Sequence, residues 1–81
     1  MLEGKAKIVN ALGLHARAAA QLVRLANTFK SSIKIQRSDT SAGADAKSIL
    51  SVLTLAATRG TELLITAEGA DEKKAMAAVT A

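Results

Sequence analysis

The chain has 81 residues with no cysteine and one histidine, which excludes disulfide staples, thiolate chemistry and a histidine-rich metal site. It is 49% hydrophobic but only 1% aromatic, with Phe29 the sole aromatic, so it has little with which to stack nucleobases. The net charge is +4, and a length of this kind reads as one domain over residues 1–81 with a thin core, about 60% of the unfolded surface being buried.

In chain order, Lys5-Ala6-Lys7-Ile8-Val9 alternates as a strand does, and Asn10 to Gly13 is a turn. A helix begins at Ala16. Ala19, Leu22, Val23, Ala26 and Phe29 form its apolar stripe, with Arg17, Gln21, Arg24 and Thr28 opposite. Ser32 to Arg37 is a second strand with Ile33 and Ile35 on one face. Ala42, Ala44 and Ala46 line one side of a short, weak third strand. Ser48 is an N-cap before the apolar run Ile49 to Ala57, a helix that Arg59-Gly60 would end. Thr61 to Ala67 is a fourth strand. Gly69-Ala70-Asp71-Glu72 opens a last helix bearing Met76 and Val79, its acids suited to the helix dipole. The order βαββαβα points to an α+β fold, a mostly antiparallel sheet with helices on one side.

Charge is distributed unevenly. Lys5, Lys7, Arg17, Arg24, Lys30, Lys34 and Arg37 lie between Gly4 and Ser38 with no acid among them, and every acid after Glu3 comes from Asp39 onward. A one-sided basic half points to an anionic partner, although solubility alone would also explain it. No stretch is apolar for long enough to span a bilayer, and Met1 to Lys5 lacks the order of a signal peptide. The expectation is a cytoplasmic chain without direct membrane insertion.

Gly13-Leu14-His15-Ala16-Arg17 stands where the first helix starts. A helix N-terminus offers unpaired N–H groups and a partial positive charge, a ready anion site. Imidazole changes charge near neutral pH and so keeps a nucleophilic nitrogen there. Arg17 can aim its guanidinium fork at phosphate oxygens, and Gly13 lets the chain turn sharply. Nucleophile, oxyanion donors and counter-charge thus fall within one turn, the equipment of phosphoryl transfer by positioning and electrostatics. A lone histidine at a helix start is more often a cap or a surface residue, and the local sequence does not separate these readings.

The motif is followed by Ala46-Lys47-Ser48-Ile49, then by Gly60-Thr61 and Ala67-Glu68-Gly69. On these blocks, in this order and over essentially the full length, the chain resembles the HPr phosphocarriers of the bacterial phosphoenolpyruvate-dependent sugar phosphotransferase system. The resemblance implies an open-faced sandwich, a four-stranded antiparallel sheet covered on one face by three helices. It implies a monomeric phosphocarrier, not a stand-alone enzyme, that takes a phosphoryl group from phosphorylated enzyme I on Nδ1 of His15. Arg17 would assist, and enzyme IIA would receive the group. No cofactor, metal or nucleic acid is expected. Ser48 resembles the regulatory serine of many family members, the target of HPr kinase/phosphorylase. The family docks its partners on the first two helices together, which here selects Ala16, Ala20, Arg24, Ile49, Leu50 and Leu53. The apolar run of the second helix agrees: if Val52 and Ala56 face the sheet, Ile49, Leu50 and Leu53 are left partly exposed, and grouped exposed apolar residues suggest a protein-binding patch.

The sequence departs from the family pattern in two places. Ala18 stands where a proline usually follows His-x-Arg. It keeps the helix, restores an N–H donor, and forgoes roughly 0.4–1 kcal/mol of unfolded-state restriction. The last helix stops at Thr80-Ala81, where family members usually run on. Other readings are a nitrogen-branch carrier of the same system and a small basic nucleic-acid-binding domain. The latter is disfavoured by the absence of tryptophan, tyrosine and any nucleic-acid motif. An acyl carrier, suggested loosely by Ser48 before an apolar helix, is disfavoured by the basic charge and the strands.

Overall fold

A computed structural model describes residues 1–9, 12–55 and 57–80. The elements are β1 (Leu2–Lys7), α1 (Ala16–Ala26), β2 (Ser32–Arg37), β3 (Gly43–Asp45), α2 (Ile49–Leu53), β4 (Glu62–Glu68) and α3 (Glu72–Thr80). The strands form one antiparallel sheet in the order β1-β4-β2-β3.

Register decides which face is apolar. Ile33 opposes Ala67, Ile35 opposes Ile65 and Ala44, and Leu63 opposes Ala6. Alternation puts all of them on one side of the sheet, where the helices cover them with Ala26, Leu22, Ala75, Met76 and Val79. Ile33 and Ile35 are fully buried, and such burial is worth about 1.5–3 kcal/mol per side chain. The opposite face presents Glu3, Lys5, Lys7, Lys34, Gln36 and Glu62 to solvent. α3 lies close on β1 at Gly4, where an added Cβ would sit 2.8 Å from Met76 Sδ.

The element boundaries differ from the sequence reading for identifiable reasons. β1 begins at Leu2 and ends at Lys7, not at Lys5 and Val9, because its register with β4 spans Leu2↔Ala67 to Lys7↔Glu62. Its inward positions Gly4 and Ala6 are too small to make a strong apolar signal. α1 stops at Ala26, and Asn27 caps it by donating from Nδ2 to the Val23 carbonyl at 2.8 Å. Phe29 therefore packs on the core from the following turn and not from the helix. In β3, Ala44 is buried and Ala46 just beyond it is buried, but Ala42 is exposed.

α2 is the largest correction. It covers Ile49–Leu53 and not Ile49 to Ala57. The Thr54 hydroxyl bonds back to the Ser51 carbonyl at 2.6 Å, and Arg37 donates from Nη1 to the Leu55 carbonyl at 2.8 Å. That guanidinium takes the acceptor a continuing helix would need. Leu55 and Ala57 are buried as irregular chain, and Arg59-Gly60 belongs to the turn before β4, with Gly60 at φ +91°. Ala56 lies outside the described residues. β4 runs one residue later than Thr61 to Ala67, and α3 starts at Glu72 as the acids suggested.

Candidate functional site

The chain enters α1 through a fixed approach. Gly13 has φ +69°, a left-handed conformation, and an added Cβ would lie 2.6 Å from the Ala57 carbonyl oxygen and 2.8 Å from Thr58 Cα. The Leu14 amide donates to the same carbonyl at 2.8 Å, and the Leu14 side chain packs on the core. His15 follows as the N-cap, extended at φ −81° and ψ 178°.

His15 occupies the capping position without capping. Its carbonyl accepts the first helical bond from Ala19 N–H at 2.8 Å, while its side chain makes no cap hydrogen bond. The half-buried imidazole has no partner among the described residues. The N–H groups of Ala16, Arg17 and Ala18 precede that first bond, so they remain open donors. No acidic side chain stands in the first turn of α1 to neutralise them. Ala18 supplies one of these donors, which a proline in its place would lack. Arg17, in the second helical position, is exposed and without an ion-pair partner among the described residues.

α1 and α2 pack against each other. Asn27 Nδ2 donates to the Lys47 carbonyl at 3.3 Å, so the end of α1 meets the start of α2, while the start of α1 meets Ala57 beyond its end. The helices are therefore antiparallel. Ala16 and Arg24 are exposed and Ala20 is half-buried along α1. Leu50 is 74% exposed and Ile49 39%, whereas Leu53 is only half open and Val52 is fully buried. Ser48 caps α2, its hydroxyl accepting from Ser51 N–H at 3.4 Å. It sits at the Arg24 end of α1, a helix about 16 Å long at 1.5 Å per residue, with His15 at the other end.

The model for the PTS HPr component phosphorylation site matches residues 2–81 of this chain. The chain belongs to the HPr family of phosphocarriers. It is 44% identical over 81 residues to phosphocarrier protein HPr of Cupriavidus necator, covering all of this chain and 89% of that relative. It is 40% identical over 74 residues to phosphocarrier protein NPr of Proteus mirabilis, covering 91% and 81%. Among solved structures, HPr of Bacillus anthracis superposes with TM-score 0.90 at 33% identity, covering 98% and 92%. An HPr dimer from Thermoanaerobacter tengcongensis superposes with TM-score 0.74 at 37% identity, covering 98% and 88%. The HPr fold inferred from the sequence is the fold observed.

The sequence located the histidine, the arginine and the helix start. It did not show what holds them. Leu14 as a half-buried anchor and Ala57 as the acceptor that fixes it are not legible in the sequence, because their contact spans 43 residues of chain. Arg59, read as the end of the second helix, lies in the turn packed on the His15 loop. The glycine before the histidine was the one local signal that the approach is tight.

Proposed function

We propose that the chain carries phosphoryl groups on His15 between phosphorylated enzyme I and enzyme IIA components of sugar permeases. Nδ1 of His15 attacks the phosphorus of the donor, and the bond to the donor breaks as the N–P bond forms. The open N–H groups of the first turn of α1 and the Arg17 guanidinium stabilise the charge on the phosphoryl oxygens. The residues act as one unit over 1–81, as a monomer in the cytoplasm, and the carrier is a phosphoprotein, transiently so at His15. Ser48 is the residue an HPr kinase/phosphorylase would modify. Among the described residues no helix is long and apolar enough to cross a membrane.

The observation that carries this reading is an N-cap histidine whose imidazole is uncommitted, in front of three open N–H groups. Family membership supports the same chemistry. Docking falls on Ala16, Ala20, Arg24, Ile49, Leu50 and Leu53, with Leu53 contributing only its open side.

A nitrogen-branch role is the second reading, favoured by the 40% identity to an NPr. Incubation with phosphoenolpyruvate and each type of enzyme I distinguishes them. The sugar-branch enzyme is expected to label the chain faster. Preferential labelling by the nitrogen-branch enzyme reverses the assignment, and labelling by neither contradicts the phosphocarrier role.

A further inference from the structure

The turn at residues 57–60 is clamped from two sides. Ala57 and Thr58 pack on Gly13 and Leu14, as described above. Gly60 N–H donates to the Ile8 carbonyl at 2.8 Å, and Ile8 N–H donates to the Thr61 carbonyl at 2.9 Å. Within the turn, Thr58 N–H bonds the Thr61 hydroxyl at 3.1 Å and Thr61 N–H bonds the Thr58 carbonyl at 3.0 Å. The backbone that carries Arg59 is therefore fixed beside the loop that presents His15. Arg59 itself is exposed.

Of the four arginines, Arg37 is held by Asp39 at 2.8 Å. Arg17, Arg24 and Arg59 have no ion-pair partner among the described residues. The elements that carry them have no acid of their own. No Asp or Glu occurs from residue 4 to 38 or from 46 to 61, the stretches that supply α1, α2 and this turn. Arg17 and Arg24 are seven positions apart, two turns of one helix face, and Arg59 stands on a different element, two residues beyond the Ala57 carbonyl that the Leu14 amide binds. Three guanidinium groups without an ion-pair partner among the described residues, on segments that carry no acid, are complementary to a carboxylate-bearing protein face.

We propose that Arg59 is a third docking arginine, meeting a carboxylate of the phosphoryl-donating protein at the His15 end of α1. This rests on the phosphocarrier reading and adds a residue to it. The contact acts in encounter and orientation. Arg59 sits at the rim, where a charge alters association and its salt dependence more than the chemical step.

The test is the initial rate of His15 phosphorylation by phosphoenolpyruvate and enzyme I, measured against carrier concentration at low and high salt. Wild type, Arg59→Gln, Arg59→Glu and Arg59→Lys are compared, with thermal unfolding as the check on fold. Arg59→Gln is expected to raise KM about two- to fivefold with kcat unchanged, the scale of one exposed ion pair. Arg59→Glu raises it further, Arg59→Lys recovers most of the loss, and the salt dependence of kcat/KM flattens when the charge is removed. Wild-type KM and salt dependence in both Arg59→Gln and Arg59→Glu overturn the proposal, as does a fall in kcat at unchanged KM. A wild-type chain that enzyme I does not phosphorylate at all contradicts the phosphocarrier reading itself, which separates the two failures.

Discussion

The Leu14 amide donates a 2.8 Å hydrogen bond to the Ala57 carbonyl, and this bond sets where His15 stands. It requires Gly13 to run left-handed against the same carbonyl. Gly13→Ala is expected to cost at least about 1–2 kcal/mol from the backbone conformation alone. The added methyl also displaces the Ala57–Thr58 backbone. We expect a lower thermal midpoint together with slower phosphoryl transfer at temperatures where the variant is folded. Unchanged transfer and stability would show that the approach to α1 is looser than this contact implies.

Asp71 links α3 to the start of β2. Its carboxylate accepts from the Ser31 hydroxyl and from the Lys30 and Ser31 amides, the latter two at 2.9 Å each. The Ser31 hydroxyl above all, then the Lys30 amide, holds this carboxyl at about 2, below its ordinary 3.8. A lowered folded-state value stabilises the fold above the unfolded value, and the contribution disappears as pH falls through about 2. The stability difference between wild type and Asp71→Asn should be full at pH 6 and shrink as pH is lowered from about 4 towards 2. Paired thermal unfolding across that range checks it, and a difference independent of pH would contradict the assignment.

Leu50 is exposed on α2 and makes no contribution to the core. Leu50→Glu should therefore change stability by no more than about 0.5 kcal/mol. It should weaken binding of enzyme I and enzyme IIA, measured by calorimetry. Unfolding of this variant would mean that the residue is core and the patch is misdrawn.

Ser48 lies at the end of the docking surface away from His15. Aspartate is about as good an N-cap as serine, so Ser48→Asp should fold normally. A negative charge there meets the partner and not the imidazole. KM for enzyme I should rise, while the lifetime of phosphorylated His15 stays the same. An altered lifetime at unchanged KM would indicate direct action on the histidine.

These sites differ in how far the sequence revealed them. Ile33 and Ile35 were legible because alternation within one strand is local, and Ser48 because a cap precedes its own helix. The His15–Arg17 helix start was legible for the same reason. The end of α2 was not, since the apolar run from Ile49 to Ala57 satisfies helix periodicity and the guanidinium that takes the Leu55 carbonyl comes from Arg37, 18 residues earlier. Asp71 looked like an acid for the helix dipole, yet its oxygens serve amides 40 and 41 residues away. β1 starts earlier than the alternation suggests because Gly4 and Ala6 mark its inner face too weakly. At α2 and Asp71 the deciding partner is distant in sequence, whereas at β1 the local signal itself is weak.

The most direct test is the chemistry of the labelled residue. The chain is incubated with phosphoenolpyruvate and enzyme I, and the product is followed by phosphorus NMR with acid treatment as a control. The account predicts one phosphoramidate on Nδ1 of His15, labile in acid and absent from His15→Ala. Equal, acid-stable labelling of His15→Ala would contradict it.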